Sequence, residues 1–124
     1  MLIETTTKIL NDMHFFAGNI LKQRYETKDN KINHVVDKFP GCSVGDIKEI
    51  YAESKYLAVA CASILAKARG IEQIKELSKI AKIDFPLGST HVKDALEKLR
   101  LSKKKSELFC KMNFKNVQKE FEIV

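Results

Sequence analysis

The chain is poor in features that staple a fold or anchor it in a membrane. Its three cysteines, Cys42, Cys61 and Cys110, are odd in number and widely spaced, with no CxxC pair. That pattern argues against a disulfide framework and against a zinc site. Cys61 stands among alanines and reads as a small buried residue. No apolar run reaches the roughly 18 residues of a membrane span. The stretch from Leu57 to Ala66 is too short and lies mid-chain. The segment Met1 to Lys8 lacks the basic, apolar and small-residue order of a secretory signal. A cytoplasmic protein with no membrane partner is therefore expected. The sequence holds no internal repeat and no low-complexity tract.

A length of 124 residues predicts one domain over 1–124 with a modest core. Hydrophobic residues make up 44% and charged residues 31%, a globular balance. The net charge of +6 is unevenly placed: residues 1–53 balance at −1 and residues 54–124 at +7. A basic surface attracts polyanions by releasing their counterions. The same lysines also suit a plainly solvated helix face.

Helical spacing runs over residues 3–25, where Ile9, Leu10, Met13, Phe16, Ala17, Ile20 and Leu21 share a stripe. Gly18 weakens that helix locally, and the turn residues from Thr27 to Asn30 end it. Residues 31–37 read as a buried strand with β-branched Val35 and Val36. Pro40, Gly41 and Gly45 make residues 39–45 a loop. Residues 47–52 fit either a short strand or one helical turn, and strand is preferred. Ser54 suits the N-cap of a long helix over about 55–82, loosened at Gly70. Thr90 caps a helix over 91–101 with Val92, Ala95, Leu96 and Leu99 inward. A last helix covers about 104–121, with Leu108, Phe109, Met112 and Val117 as its apolar members. Two strands make no independent sheet of much stability. The chain is thus either a small helix-dominated domain or the back half of a larger α/β fold.

Two carboxylates stand where chemistry is plausible. Asp37 closes the strand 31–37, and carboxylates at strand ends hold Mg²⁺ through one or two oxygens plus waters and substrate phosphates. Glu53 precedes the long helix, whose dipole favours its charged form. The plainer reading makes Asp37 a turn residue and Glu53 a helix-terminal charge. His14, His34 and His91 are too scattered to form a ligand set, and Gly41 to Gly45 is an unspecific phosphate-loop pattern. Lys103, Lys104, Lys105, Lys111, Lys115 and Lys119 give the last helix a basic stripe.

Several motifs in order carry a family resemblance. Ala52-Glu-Ser-Lys-Tyr-Leu-Ala-Val-Ala-Cys-Ala-Ser-Ile-Leu-Ala-Lys67 is the most specific. His34-Val-Val-Asp-Lys-Phe39, Phe85-Pro-Leu-Gly88, Asn113-Phe-Lys-Asn116 and Leu10-Asn-Asp-Met-His14 accompany it. Together they resemble the C-terminal part of ribonuclease HIII, a branch of the type 2 ribonucleases H. The resemblance implies a partial ribonuclease H-like α/β fold, helix-rich with a reduced sheet. It also implies an endonuclease that cuts the RNA strand of RNA–DNA hybrids with Mg²⁺ or Mn²⁺. Four acids serve that chemistry in the family; the third matches Asp37 and the fourth Glu53. On this reading Lys55, Ser63 and Lys67 support the site or the substrate backbone.

The family's first two acids form an adjacent Asp-Glu pair in a Gly-rich strand motif, and this sequence contains neither. Asp37 and Glu53 are also close in sequence, with the usual strand and helix between them trimmed to a loop. Leu87 stands where the family tends to have lysine. The expectation is a chain that needs a complementary N-terminal chain or a homodimer. The alternative is an inactive copy that serves at most as a basic nucleic-acid-binding module.

Overall fold

The computed structural model describes residues 5–122. In chain order it has helix α1 (Thr6–Tyr25), strands β1 (Val35–Asp37) and β2 (Ile47–Glu49), and the one-turn helix α2 (Ala52–Lys55). Helices α3 (Leu57–Ala81), α4 (Val92–Leu101) and α5 (Lys115–Glu120) follow. The architecture is a helix-rich α/β arrangement with one two-stranded sheet. The chain divides into two compact units, the first ending at Leu65 and the second beginning at Ala66.

In the first unit, α1 starts where the Thr5 side chain accepts the Lys8 N–H at 3.2 Å. The strands pair in parallel, with Val35, Val36 and Asp37 opposite Ile47, Lys48 and Glu49. Parallel neighbours normally need a crossover of a dozen or more residues, usually a helix. Here residues 38–46 return as an irregular loop. Gly41 and Gly45 take positive φ of 78° and 94° within it. The backbone N–H groups of Asp46 and Ile47 both donate to the His34 carbonyl, at 2.8 and 3.2 Å. Asn11 of α1 holds the loop from the other side: its Nδ2 donates to the Gly41 carbonyl at 3.0 Å and its Oδ1 accepts the Ser43 N–H at 2.9 Å.

The expected strand over 31–37 is shorter than its composition suggests, because side-chain carboxylates capture its first donors. The Ile32 N–H bonds Glu26 Oε2 at 3.1 Å, and the His34 N–H bonds Asp46 Oδ2 at 2.7 Å. The apolar stripe of α1 is also not inward. Met13 and Phe16 are each 63% exposed, and Ile20 and Leu21 are exposed too. A two-stranded sheet cannot cover a helix of this length. What α1 packs is the strip through Gly18, which is buried because the His34 ring fills the place of a side chain. Val36 and Ala52 are the buried apolar residues of this unit among those described.

The expected helix from 55 to 82 is two helices. Tyr56 is extended, with φ −124° and ψ 113°, and it separates α2 from α3. Ser54 caps nothing in α3; its hydroxyl donates to the Tyr51 carbonyl at 2.8 Å. Gly70 leaves α3 unbroken, and a Cβ there would meet nothing within 4 Å. Gly70→Ala is therefore expected to stabilise the protein by about 0.5–1 kcal/mol, read as a raised thermal midpoint. Cys61 is exposed rather than buried, as are Leu57, Ile64 and Leu65 around it.

The second unit is built on α4, which buries Ala95, Leu96 and Leu99, with Val117 of α5 and Ala81 also buried. Arg100 Nε donates to Glu120 Oε1 at 2.9 Å, tying α4 to α5. The N-cap of α4 is His91 in the left-handed region, not Thr90. The expected helix over 104–121 is interrupted. Lys103 takes a φ of 56°, a single 3₁₀ turn covers Ser106–Leu108, and Phe114 is extended before α5. Gln118 Nε2 donates to the Met112 carbonyl at 3.1 Å, which holds that irregular approach. Leu108 is consequently 63% exposed rather than inward. Lys111 lies outside α5, so Lys111, Lys115 and Lys119 form no continuous helix face.

Candidate active site

The parallel register sets Asp37, the last residue of β1, beside Glu49, the last of β2. After β2 the chain turns sharply. Tyr51 sits at φ 58°, ψ 38°, a left-handed conformation rare for a bulky residue. Its carbonyl accepts both the Ser54 N–H at 3.0 Å and the Ser54 hydroxyl. That turn directs the Ala52 N–H at Asp37, whose Oδ1 accepts it at 3.3 Å. Ala52 is fully buried, so α2 is seated on the end of β1. Glu53, the next residue, is exposed and carries no hydrogen bond or ion pair among the described residues. The two expected carboxylates thus lie on adjoining elements at one end of the sheet.

Glu49, which the sequence did not single out, is engaged at both oxygens. Lys55 Nζ donates to its Oε2 at 2.8 Å and the Tyr56 hydroxyl to its Oε1 at 2.9 Å. The Lys55 hydrogen bond, then that of Tyr56, holds the Glu49 carboxyl below its ordinary range. Reciprocally, Glu49 raises both the Lys55 ammonium and the Tyr56 phenol. Lys55, expected on substrate, is thus ion-paired beside the carboxylates. Ser63 and Lys67 are exposed on α3, and no described contact joins them to Asp37 or Glu53.

No cluster of three or more metal-ligating side chains exists among the described residues. Asp37 with one oxygen engaged and Glu53 with none suit Mg²⁺ or Mn²⁺, which needs only one or two carboxylates besides waters and phosphates. They do not form a closed metal cage.

A pocket of about 250 Å³ lies between α1 and the 43–46 loop, lined by Phe15, Gly18, Asn19, Lys22, His34 and Asp46 among others. Neither Asp37 nor Glu53 lines it. Lys22 Nζ is 2.6 Å from Asp46 Oδ2, and the His34 ring lies 5.8 Å from that of His14. Burial pushes the His34 pKa down first; His14 and Lys22 push the same way and Asp46 opposes them. The unfolded chain therefore takes this proton before the folded one does. Stability is complete above the ordinary value of 6.5 and falls as pH drops through the lower folded value. A lower thermal midpoint at pH 5 than at pH 7 is expected, with the difference reduced in His34→Gln.

The helix-rich arrangement with its small parallel sheet is consistent with a ribonuclease H-like α/β fold. Comparison with known proteins agrees. The model of the Ribonuclease HII family matches residues 9–117, and the chain belongs to that family. Relatives named Ribonuclease HIII, from Bacillus cereus (strain AH187), Bacillus anthracis and Bacillus thuringiensis subsp. konkukian, are each 41% identical over 75 residues. Those matches cover 58% of this chain and 24% of each relative. The chain thus spans about a quarter of the length of those relatives and is a ribonuclease HIII-type C-terminal region. No solved structure matches significantly. Among the described residues no helix is long and apolar enough to cross a membrane.

Proposed function

We propose that this chain supplies the Asp37 and Glu53 part of an endonuclease site that cuts the RNA strand of RNA–DNA hybrids. The observation that carries the proposal is the Ala52 N–H to Asp37 bond, which joins the end of β1 to the turn bearing Glu53. Asp37 and Glu53 would hold Mg²⁺ or Mn²⁺, and the ion would supply Lewis acidity and water activation when bound. Lys67 and Ser63 remain available to the substrate backbone, whereas Lys55 reaches it only by leaving Glu49. The basic residues after Lys55 favour a polyanionic substrate.

Two carboxylates fall short of the family's four, and the apolar faces of α1 and early α3 support a missing partner. Phe16 is 63%, Leu57 81% and Leu65 71% exposed, beyond the scatter of single apolar residues expected on a monomer. A complementary chain that carries the adjacent Asp-Glu pair would cover these faces and complete the site; a homodimer would cover them without completing it.

The test is cleavage of a labelled RNA–DNA hybrid with Mg²⁺ or Mn²⁺. The chain is assayed alone and mixed with the remaining part of a Bacillus ribonuclease HIII. Cleavage in the mixture that neither part shows alone is expected. Absence of cleavage in every mixture, with salt-sensitive hybrid binding retained, would leave a basic binding module instead.

A further inference from the structure

We infer that Glu49 is a positioning residue that clamps α2 and so fixes the turn bearing Glu53 on the end of β1. Helix α2 is one turn of four residues, too short to persist on its own hydrogen bonds. It enters through Tyr51 in a strained left-handed conformation and leaves through the extended Tyr56. Its place therefore depends on attachments to its surroundings. At its start these are the burial of Ala52 and the 3.3 Å bond to Asp37 Oδ1. At its end both attachments converge on one carboxylate: Lys55 Nζ on Glu49 Oε2 and the Tyr56 hydroxyl on Glu49 Oε1. Glu49 is itself fixed by strand pairing opposite Asp37. Strand end, turn and helix thus close a ring of contacts that runs through the Glu53 backbone, with Glu49 as the point where it is tied.

The arrangement also settles a charge problem. Asp37 and Glu49 stand opposite one another at one end of the sheet, so two carboxylates meet there. Lys55 neutralises Glu49, the one that is used for structure, and leaves Asp37 to a cation. Lys55 and Tyr56 are then parts of the clamp, and their effect on any reaction runs through Glu53.

The clamp is tested by amide hydrogen exchange of the full chain without metal. Glu49→Ala is expected to speed exchange at Ala52 about tenfold while amides of α4 keep their rates. Glu49→Gln keeps an acceptor for Tyr56 and should fall between, and Tyr56→Phe alone should give about threefold. In the Glu49→Ala background Tyr56→Phe should add nothing, because both act through one carboxylate. Ala52 exchange within twofold of the parent in Tyr56→Phe and Glu49→Gln, or independent additive effects, overturns the clamp. These two variants carry the test if Glu49→Ala does not fold. The importance of the clamp for metal rests on the function proposed above, and a second arm separates the two. Mn²⁺ is expected to broaden the Asp37 and Glu53 resonances of the parent chain, and to broaden them less in Glu49→Gln. No broadening in the parent counts against the metal reading and leaves the clamp to the exchange data. Equal broadening in both overturns the positioning role.

Discussion

Asp37→Asn is expected to lower hybrid cleavage by the complemented chain about a hundredfold or more, with an unchanged thermal midpoint. A loss of that size corresponds to removing one charged ligand from a cation that stabilises developing negative charge. The fold should tolerate the change because the amide of Asn still offers Oδ1 to the Ala52 N–H, the bond that seats α2 on β1. Asp37→Ala removes charge and acceptor together and is expected to cost about 1 kcal/mol of stability in addition. Glu53→Gln should match Asp37→Asn in activity and leave stability untouched, since the Glu53 side chain is exposed and bonds nothing among the described residues. Cleavage by Asp37→Asn within threefold of the parent would remove Asp37 from the site. Equal losses of activity and stability would make it a structural residue only.

That Asp37 ends a strand and that Glu53 stands at the start of a helix were legible in the sequence. The Ala52 N–H bond that joins α2 to Asp37 was not legible, since it depends on Tyr51 adopting a left-handed conformation that glycine or asparagine would have advertised. His91 hides the start of α4 in the same way. The role of Glu49 and its contacts with Lys55 and Tyr56 went unnoticed, because contacts six and seven residues apart match neither helical nor strand spacing. Asn11 holds a loop some thirty residues away, and no local pattern reports such a bond. Where periodicity was strong and a partner exists, as for Ala95, Leu96 and Leu99, burial follows the pattern. On α1 the pattern was equally strong, yet Met13, Phe16, Ala17, Ile20 and Leu21 are exposed. Periodicity identifies which face of a helix is apolar; what covers that face is a property of the rest of the fold.

The loop between the strands is the part of this unit least tolerant of added bulk. Residues 38–46 perform a parallel return without a helix, which leaves no slack at the residue that re-enters the sheet. Gly45, two residues before β2 begins, has φ 94°. A Cβ there would lie 2.6 Å from Val36 Cγ2 and 3.3 Å from the His34 carbonyl oxygen. Val36 is 1% exposed and has no room to retreat. Gly45→Ala therefore combines backbone strain of about 1–3 kcal/mol with an overpacking cost of similar size. The sum, about 2–6 kcal/mol, is a large part of the stability of a domain with so few buried side chains. Gly88→Ala is the control: it meets nothing within 4 Å and is expected to be near neutral. The measurement is a thermal melt followed by circular dichroism, alongside cleavage in the complemented mixture. Gly45→Ala is expected to lose cleavage without touching a carboxylate, because displacing Val36 displaces Asp37 beside it. A midpoint for Gly45→Ala equal to that of Gly88→Ala would mean that the return loop can relax, and that Asp37 is held by α2 rather than by the strand it ends.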